Sequence, residues 1–552
     1  MAFFRRNPTD GPRRGSFGPL ATGMALSLLL GFGLARSLRA TDDLRSQLDL
    51  FSQILSLVQS NYVEAPDNAK LMKGAIDGML KSLDPHTVYL PPQRAQRLDE
   101  EFHGEYSGIG VQFDLRDNKI VVISPLEGTP AYRLGIRAGD RIVMVDGKPL
   151  AKGLVNDDVF KLLRGPNGST VQVTIERDGQ TDPLVYNIER AKIPIESVPY
   201  AYMIRPGVGY VRVIRFAQTT GQELENSLAK LHDQGMKQLV IDLRSNGGGL
   251  LAEAVDVLDQ LVPPGKLLVY TRGRIPNANA DYRSDERPRV NNEVPVVLLI
   301  DHGSASASEI VAGAIQDLDR GLVVGTNSFG KGLVQNQFRL ADGSKLLLTI
   351  AHYYTPSGRL IQRDYSKFSD QSDYVADAFK DDVPSDSVLA TRPKFKTSAG
   401  RDVYGGGGIY PDVLIKDPTN LTRPEIDMIN KRVFFLFGTH WVQKQPNRKW
   451  TRESLQRDAF KLNDADWNEL HAVMTKEKVT LTDSIWKAEQ PFMLRQVRGE
   501  VASEALGALE RYRILVEDDS QLQSALEMFP RASKLLSLSQ SSLEETKRTS
   551  HP

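Results

Sequence analysis

A serine cluster near position 306 and a lysine at position 331 are the residues in this sequence best suited to chemistry. Residues 301–310 read Asp-His-Gly-Ser-Ala-Ser-Ala-Ser-Glu-Ile, and residues 328–335 read Ser-Phe-Gly-Lys-Gly-Leu-Val-Gln. A serine hydroxyl is a poor nucleophile until a neighbouring base takes its proton. A lysine whose pKa is lowered by burial can be that base, and Ser-Lys pairs are a known variant of the Ser-His-Asp constellation. These residues therefore point to a hydrolase that does not use histidine as its base.

Three serines compete for the role of nucleophile, namely Ser304, Ser306 and Ser308. A strand is predicted to end just before them, and a helix is predicted to begin near Ser306. Ligands of open parallel sheets lie beyond the carboxyl ends of the strands. A serine on the first helical turn would face that space, and the N–H of Ala307 could bind an oxyanion there. The alternative is that all three hydroxyls cap the helix, as serines commonly do.

Spacing alone does not identify the base, because Ser-x-x-Lys occurs three times. The pairs are Ser227/Lys230, Ser328/Lys331 and Ser484/Lys487. Lys230 and Lys487 fall on predicted helices, where we expect them to be solvated. Lys331 lies between Gly330 and Gly332, which permit a tight turn and leave room around the ammonium group. Lys331 is therefore the candidate base, and an exposed loop lysine is the alternative.

A glycine-rich loop, Asp-Leu-Arg-Ser-Asn-Gly-Gly-Gly at 242–249, follows a predicted buried strand and precedes a predicted helix. Unobstructed backbone N–H groups in such a loop suit an oxyanion or a phosphate. The loop lacks the Gly-Lys-Ser/Thr of a phosphate-binding loop and the spacing of a dinucleotide fingerprint. An oxyanion site and a plain tight turn both remain open.

The eight histidines show no metal-binding spacing, so we expect no metal and no cofactor. His302 lies close to the serine cluster and keeps a Ser-His hydrolase open as a weaker alternative.

Composition excludes several other classes of protein. The chain has 552 residues, a formal net charge of zero and no cysteine. Zero net charge gives no argument for nucleic-acid binding. The lack of cysteine excludes disulfides, thiolate metal sites, a lipid-modified cysteine and a cysteine nucleophile.

The N-terminal 40 residues are predicted to direct export. Basic residues, including Arg5 and Arg6, precede an apolar run from Leu20 to Ala35, which is the order found in export signals. The run is short for a membrane-spanning helix, which needs about 20 residues. Cleavage of the segment and its retention as a membrane anchor both remain open.

The rest of the chain divides by pattern into four segments. Residues 41–102 are predicted to be helical, with an apolar stripe that includes Leu44 and Leu48 and that we expect to pack internally. Residues 103–190 have the pattern of short strands. Residues 191–416 alternate strand and helix, which predicts a mainly parallel sheet covered by helices. Within them, 363–404 is a polar, loop-rich insertion. Residues 417–552 are predicted to be helical.

Together the motifs resemble those of the C-terminal processing peptidases, also called tail-specific proteases, which are serine peptidases of family S41. The resemblance covers about residues 45–415 and rests on several motifs in combination. They are Ser-Leu-Asp-Pro-His-Thr at 82–87, Gly-Ile-Gly-Val at 108–111, Gly-Asp-Arg-Ile at 139–142, Asp-Leu-Arg-x-Asn-x-Gly-Gly at 242–249, Ser-Ala-Ser-Ala-Ser-Glu-Ile at 304–310, Gly-Lys-Gly-x-Val-Gln at 330–335, Tyr-x-Thr-Pro-Ser-Gly-Arg at 353–359 and Gly-Gly-Ile-Tyr-Pro-Asp at 407–412.

The resemblance implies a role for each catalytic position. Ser306, the middle serine, would be the nucleophile, Lys331 the general base, and Gln335 the residue that orients the lysine. The oxyanion donors would be the N–H groups of Gly248 and Gly249, together with that of Ala307. The implied fold is multidomain α/β, with an α/β peptidase core, an inserted β-rich PDZ domain, N-terminal helices and a helical C-terminal tail. The implied activity is serine endopeptidase cleavage near substrate C-termini.

The PDZ domain implied for 103–190 would bind the C-terminus of a protein or peptide substrate. Such domains add the peptide as a strand and hold its carboxylate on backbone N–H groups. Gly108, Ile109, Gly110 and Val111 would form the carboxylate loop, with Ile109 and Val111 lining an apolar pocket. We expect a location in the bacterial periplasm or cell envelope, with an activating or adaptor protein as an open question. The rival interpretation is a non-catalytic PDZ scaffold with a peptidase-like fold.

The family resemblance leaves two segments unexplained. The insertion 363–404 separates two motifs that are usually close together, and a lid or a partner contact would suit it. The tail beyond 418 would suit an oligomerisation or docking module.

Overall fold

A computed structural model of the chain describes residues 43–285, 288–368, 371–380, 384, 386–416 and 421–538. They belong to two compact units, Met1–Met79 and Leu80–Pro552. The predicted export segment, 1–40, lies outside the described residues. Within the described ranges, each helix is too short or too polar to cross a bilayer.

The first unit is helical, as the apolar periodicity predicts. A helix covers 43–61, and the helix Asn68–Lys81 begins in this unit. The stripe expected to pack internally is instead largely exposed. Leu44 is 60% exposed and Leu48 56% exposed, and Phe51 and Ile54 are exposed as well. The expectation that these residues pack internally is therefore wrong, because their side chains are exposed.

The segment between residues 103 and 190 is β-rich, as predicted. Its sheet is antiparallel, and its core contains Ile120, Ile142, Val173 and Ile188, all fully buried. A short pairing of Glu105–Gly108 with Ala191–Pro194 closes the segment. The sheet strands in order are Val111–Arg116, Lys119–Pro125, Arg141–Val145, Thr170–Glu176 and Leu184–Glu189, with Lys148–Pro149 beside Arg141–Val145, and the helices are Pro130–Arg133 and Asn156–Leu163.

A six-stranded sheet forms the centre of the second unit. Its first pair of strands is antiparallel and the four later pairings are parallel, so the predicted mainly parallel sheet is confirmed. The strands in order are Tyr200–Arg205, Val208–Arg212, Gln238–Asp242, Val296–Ile300, Leu322–Gly325 and Val413–Leu414. The helices Thr220–Asp233, Leu251–Asp259 and Ala307–Asp317 contribute to the core on one face.

The C-terminal tail covers the other face of this sheet. Leu522, Leu526 and Phe529 pack against Tyr210 and Leu299 of the sheet. The tail is helical, as predicted, and it also builds a second core around Phe437 and other aromatic residues. Its helices are Arg423–Asn430, Val433–Gln443, Asp464–Lys476, Asp483–Leu506, Ala508–Leu515, Ser520–Leu526 and 529–538. The C-terminal part of the tail is therefore packed on this sheet.

A second, antiparallel sheet was not foreseen from the sequence. Its strands are Val88–Leu90, Leu267–Gly273, Ala280–Arg283, Leu333–Arg339 and Lys345–Tyr354. The helix Pro92–His103 follows the first of them. The sequence pattern had assigned the last two strands to the alternating α/β segment. They form a long hairpin, which carries Gln335 and Tyr353.

The insertion 363–404 has more regular structure than the predicted loop. It contains the helices Gln371–Ala378 and Asp386–Thr391, and the strands Lys394–Lys396 and Asp402–Tyr404 pair as a hairpin. The expectation of a loop-rich segment is wrong here, because apolar residues hidden among the acidic ones are buried. Tyr374 is fully buried and Leu389 nearly so.

Candidate active site

Ser306 lies at the sharp turn between the strand Val296–Ile300 and the helix Ala307–Asp317. Its backbone adopts φ 55° and ψ −113°. A positive φ is uncommon for a residue with a side chain, and such strain is often found at functional sites. Ser306 is half-buried, whereas every residue of the following helix is buried. The turn therefore leaves this serine more accessible than the helix that follows it.

The other two serines of the cluster have structural roles. Ser304 is fully buried, and its hydroxyl donates to the carbonyl of Leu243 at 2.9 Å. Ser308 is also fully buried and donates to the carbonyl of Asn246 at 2.8 Å. Both hydroxyls hold the glycine-rich loop against the start of the helix. Ser306 is the serine of the three best placed to meet a substrate.

Lys331 is half-buried beside Gln335. Its Nζ donates to Gln335 Oε1 at 2.7 Å, and Gln335 Nε2 donates to the carbonyl of His86 at 2.5 Å. Burial lowers the pKa of Lys331, although the negative charges of Glu309 and Asp84 raise it in part. Desolvation disfavours the ammonium form, so this lysine is suited to accept a proton. The competing lysines, Lys230 and Lys487, are exposed on helices, as expected.

The position of Gln335 depends on a shift of register in its hairpin. Val334 pairs with Ala351, but Gln335 pairs with Thr349, so the strand bulges between the two. Bulges redirect side chains and are common beside active sites. At this bulge the side-chain amide of Gln335 accepts a hydrogen bond from Lys331 and donates one to the carbonyl of His86.

The turn 84–87 fixes that carbonyl. The N–H groups of His86 and Thr87 both donate to Asp84 Oδ1 at 2.8 Å, and Thr87 Oγ1 donates to Oδ2 at 2.6 Å. Burial, together with the positive charge of Lys331, lowers the pKa of His86 to about 4. The imidazole is therefore neutral at pH 7 and adds no second positive charge near the lysine.

Glu309 joins the serine segment to the lysine segment. Its Oε2 accepts the N–H of Ser306 at 2.8 Å and the N–H of Lys331 at 2.9 Å. Its Oε1 accepts the N–H of Gly330 at 2.7 Å and the hydroxyl of Ser328 at 2.5 Å. Burial raises the pKa of Glu309 above its ordinary value, and the four hydrogen bonds offset part of that rise. Four converging donors match the acceptor capacity of a carboxylate.

Tyr353 makes a second link between the same two segments. Its hydroxyl lies 2.7 Å from the carbonyl oxygen of Lys331 and 3.1 Å from that of Ser306. The side chain is almost fully buried. The carboxylate of Glu309 and the phenol of Tyr353 thus hold the backbones of Ser306 and Lys331 together, one through N–H groups and one through carbonyls.

The hydroxyl of Ser306 and the ammonium nitrogen of Lys331 are not hydrogen-bonded to each other in the described residues. The lysine donates to Gln335 instead. Nucleophile and base pairs are often loose without a substrate and tighten in the reacting complex. The backbone links bring the Ser306 and Lys331 segments together in one region of the structure.

The glycine-rich loop lies directly against Ser306. A Cβ atom added to Gly248 would come within 2.8 Å of Ser306 Cβ and 2.9 Å of the Ala307 nitrogen. The N–H of Ala307 is on the first helical turn, where N–H groups have no partner within the helix. The N–H of Gly248 donates to Asn246 Oδ1 at 2.9 Å, so it is occupied in this arrangement. Gly249 contacts the backbone of Phe216, which leaves no room for a side chain.

The predicted carboxylate loop is present at 108–111, but its residues differ in exposure. Gly108 pairs with Ala191, and the carbonyl of Gly110 accepts the N–H of Leu126 at 2.9 Å. Val111 is half-buried at the start of a strand. Ile109 is only 2% exposed and belongs to the domain core. That Ile109 lines an apolar peptide pocket stays a prediction, and in this structure core packing encloses its side chain.

Sequence reasoning missed four residues that shape this site: Asp84, His86, Glu309 and Tyr353. All four lie inside motifs that were noticed. Gln335, which binds the carbonyl of His86, is distant from it in sequence, and so are both carbonyl partners of Tyr353 and three of the four donors to Glu309. The clearest signal was Glu309, because a serine followed three residues later by glutamate is the pattern of a capping box. The flanking glycines of Lys331 were also misread. They allow the chain at Gln362 and Arg363 to approach closely rather than leaving open space.

Comparison with known proteins assigns three segments to families. Residues 207–367 match peptidase family S41, residues 107–185 match the PDZ domain, and residues 33–93 match the activating protease CtpB N-terminal domain.

Two curated relatives are named as proteases. The chain is 41% identical over 321 residues to a carboxy-terminal-processing protease of Bartonella bacilliformis, which covers 57% of this chain and 73% of that protein. It is 36% identical over 319 residues to a probable CtpA-like serine protease of Staphylococcus aureus, which covers 57% of this chain and 63% of that protein. A solved photosystem II D1 C-terminal processing protease is 30% identical, covering 66% of this chain and 86% of its own, with a TM-score of 0.34.

Replacing Glu309 with glutamine is expected to reduce both stability and turnover. The amide group would face two of the four buried donors, whichever way it is oriented. A buried donor left unsatisfied costs about 1–3 kcal/mol. Denaturant unfolding and turnover of an unfolded protein substrate would measure the two effects.

The matched control for this substitution is Glu253→Gln. Glu253 is also buried in the core domain, but it accepts the N–H of Gly221 at 3.0 Å, on the helix Thr220–Asp233, which supplies none of the four donors to Glu309. We expect Glu253→Gln to have the smaller effect on both quantities. A Glu309→Gln protein with the stability and turnover of the unmodified chain would contradict the proposed link.

Proposed function

The chain belongs to the carboxy-terminal-processing proteases of peptidase family S41, and we propose that it cleaves proteins near their C-termini with a Ser306–Lys331 dyad. The observation that carries this proposal is the shared anchoring of the two residues. Glu309 accepts N–H groups from both, and the hydroxyl of Tyr353 contacts the carbonyls of both.

The reaction would proceed in two steps. The hydroxyl of Ser306 attacks the scissile carbonyl, and the neutral amine of Lys331 takes its proton. Lys331 then delivers that proton to the leaving amine, which releases the C-terminal fragment and leaves an acyl-serine. Water, activated in turn by the neutral lysine, hydrolyses the ester and regenerates the serine. Gln335 orients the lysine throughout by accepting one of its N–H groups.

The oxyanion of each tetrahedral intermediate would be stabilised by backbone N–H groups. Ala307 is the strongest candidate donor, because its N–H lies at the helix start beside the nucleophile. Gly249 and Gly248 are the candidates on the loop, and Gly248 would first have to release Asn246 Oδ1. Removal of one such donor typically costs about 3–4 kcal/mol of transition-state stabilisation.

Substrate selection would belong to the PDZ domain. Gly108, Gly110 and Val111 would bind the terminal carboxylate of the substrate through backbone N–H groups, and the peptide would extend the sheet. We further propose export to the bacterial envelope, directed by residues 1–40, with that segment either cleaved or kept as an anchor in the inner membrane. An activating or adaptor protein would fit the match of residues 33–93 to an activating protease.

A degradation assay tests the dyad directly. An unstructured protein with an apolar C-terminus should be cleaved by the unmodified chain and not by Ser306→Ala or Lys331→Ala. Loss of general-base catalysis is expected to slow turnover by about 10²–10⁴-fold. Lys230→Ala serves as the control, because Lys230 has the same Ser-x-x-Lys spacing but is exposed.

Equal turnover by Ser306→Ala, Lys331→Ala and the unmodified chain would contradict the Ser306–Lys331 dyad. Binding of the substrate tail without any cleavage by the unmodified chain would favour the scaffold interpretation. Loss of activity in His302→Ala, with Lys331→Ala still active, would favour a Ser-His hydrolase.

The pH dependence of cleavage is expected to show an acid limb set by Lys331. The base must be neutral to take a proton, so kcat/KM should fall as pH falls through the lowered pKa of this lysine. Burial places that limb below the ordinary lysine value. His86 has a pKa of about 4 and cannot produce a limb near neutral pH. A rate that stays flat from alkaline to mildly acidic pH would argue against a lysine base.

A further inference from the structure

The insertion 363–404 begins against the loop that carries Lys331. The N–H of Arg363 donates to the carbonyl of Gly330 at 2.9 Å, and the N–H of Gly332 donates to Gln362 Oε1 at 2.8 Å. A Cβ atom on Gly332 would come within 2.9 Å of the Gln362 nitrogen. The residues on both sides of the lysine are therefore held by the chain entering the insertion.

The helix Gln371–Ala378 places Tyr374 over this contact. Tyr374 is fully buried, and its hydroxyl accepts from Gln362 Nε2 at 3.1 Å. Its ring meets His86 at 5.4 Å and Phe329 at 5.7 Å between centroids, both edge-on. His86 supplies the carbonyl that holds Gln335, and Phe329 precedes Lys331 by two residues. Tyr374 therefore contacts both the turn that holds Gln335 and the segment that leads into Lys331.

Arg363 fastens the helix in place. Its guanidinium donates to the carbonyl of Tyr374 at 2.6 Å and pairs with Asp377 at 3.1 Å. It also lies over the rings of Tyr374 and Phe329, at 4.2 and 5.2 Å from their centroids. A hydrogen bond, an ion pair and two cation–π contacts on one side chain make a specific attachment.

We propose that the helix Gln371–Ala378 is a positioning element of the active site, in which Tyr374 excludes water from Lys331 and holds residues 330–332 through Gln362. The proposal rests on the role of Lys331 as the base. It assigns a function to an insertion that lies almost wholly beyond the match to family S41, which ends at residue 367.

The charged and titratable groups around Lys331 determine how its pKa would change if water reached it. Glu309 and Asp84 raise the pKa of Lys331, and desolvation lowers it more strongly. His86 is neutral at pH 7, and Arg363, whose charge lowers the pKa of His86, is balanced by Asp377. The nearby phenols, Tyr353 and Tyr374, have pKa values raised by burial and stay protonated. Water reaching Lys331 would remove the dominant effect and raise its pKa.

The test measures the lysine itself, in a Ser306→Ala background. Acetic anhydride acylates the neutral amine with release of acetate, and peptide mass spectrometry follows the rate at Lys331 against pH. Tyr374→Ala should move the midpoint upward by about one pH unit or more, towards the ordinary lysine value. The control is Lys396→Ala, which truncates a 66% exposed side chain on the hairpin of the same insertion. It should leave the midpoint unchanged.

An unchanged midpoint in folded Tyr374→Ala protein would overturn the proposal. If that variant does not fold, Tyr374→Leu keeps most of the apolar volume but loses the hydroxyl and the ring edge. It should show a smaller shift in the same direction, and no shift would equally overturn the proposal.

A second readout separates this proposal from the proposed function. With Ser306 present, the acid limb of kcat/KM should move upward in Tyr374→Ala, so that the rate falls more at neutral than at alkaline pH. A general structural defect would lower the rate by the same factor at every pH. A shifted acylation midpoint in a chain that cleaves no substrate would support the positioning role while contradicting the peptidase.

Discussion

The buried carboxylate of Glu309 is the constraint on which the rest of the site depends. A carboxylate is costly to bury unless its oxygens are satisfied by hydrogen bonds. Here the four donors come from the turn at Ser306 and from the segment 328–331. An arrangement that separated the serine from the lysine would leave this buried carboxylate with fewer of its four donors. The same bonds help to hold Ser306 in its strained backbone conformation.

The two sheets supply the parts that this carboxylate joins. The parallel sheet delivers Ser306 and the glycine-rich loop at the carboxyl ends of its strands, where ligands of such sheets bind. The antiparallel sheet delivers Gln335 and Tyr353. The C-terminal tail supports the glycine-rich loop. Arg244 of this loop, two residues before Asn246, pairs with Asp242 at 2.7 Å and with Asp519 of the tail at 2.6 Å. Segments distant in sequence therefore converge on the site.

Local sequence patterns predicted the features of the fold that depend on interactions between residues close in sequence. Apolar periodicity located most helices and the parallel strands, and the motifs singled out Ser306 and Lys331 among several competitors. The partners of Glu309 and Tyr353 could not be predicted, since they depend on the tertiary meeting of two sheets. The same limit applies to Ile109, whose side chain the packing of its domain encloses, and to Leu44 and Leu48, whose helix face stays exposed. Acidic composition concealed Tyr374, because the helix that carries this buried ring also carries Asp373 and Asp377.

Labelling with a fluorophosphonate tests most directly whether Lys331 activates Ser306. The serine oxygen attacks phosphorus, fluoride leaves, and the proton passes to the base, so the reaction needs no protein substrate. The account predicts a single adduct on Ser306, formed about 10²–10⁴-fold more slowly in Lys331→Ala and at an unchanged rate in Lys230→Ala. An adduct on a different serine, or equal labelling rates with and without Lys331, would contradict it.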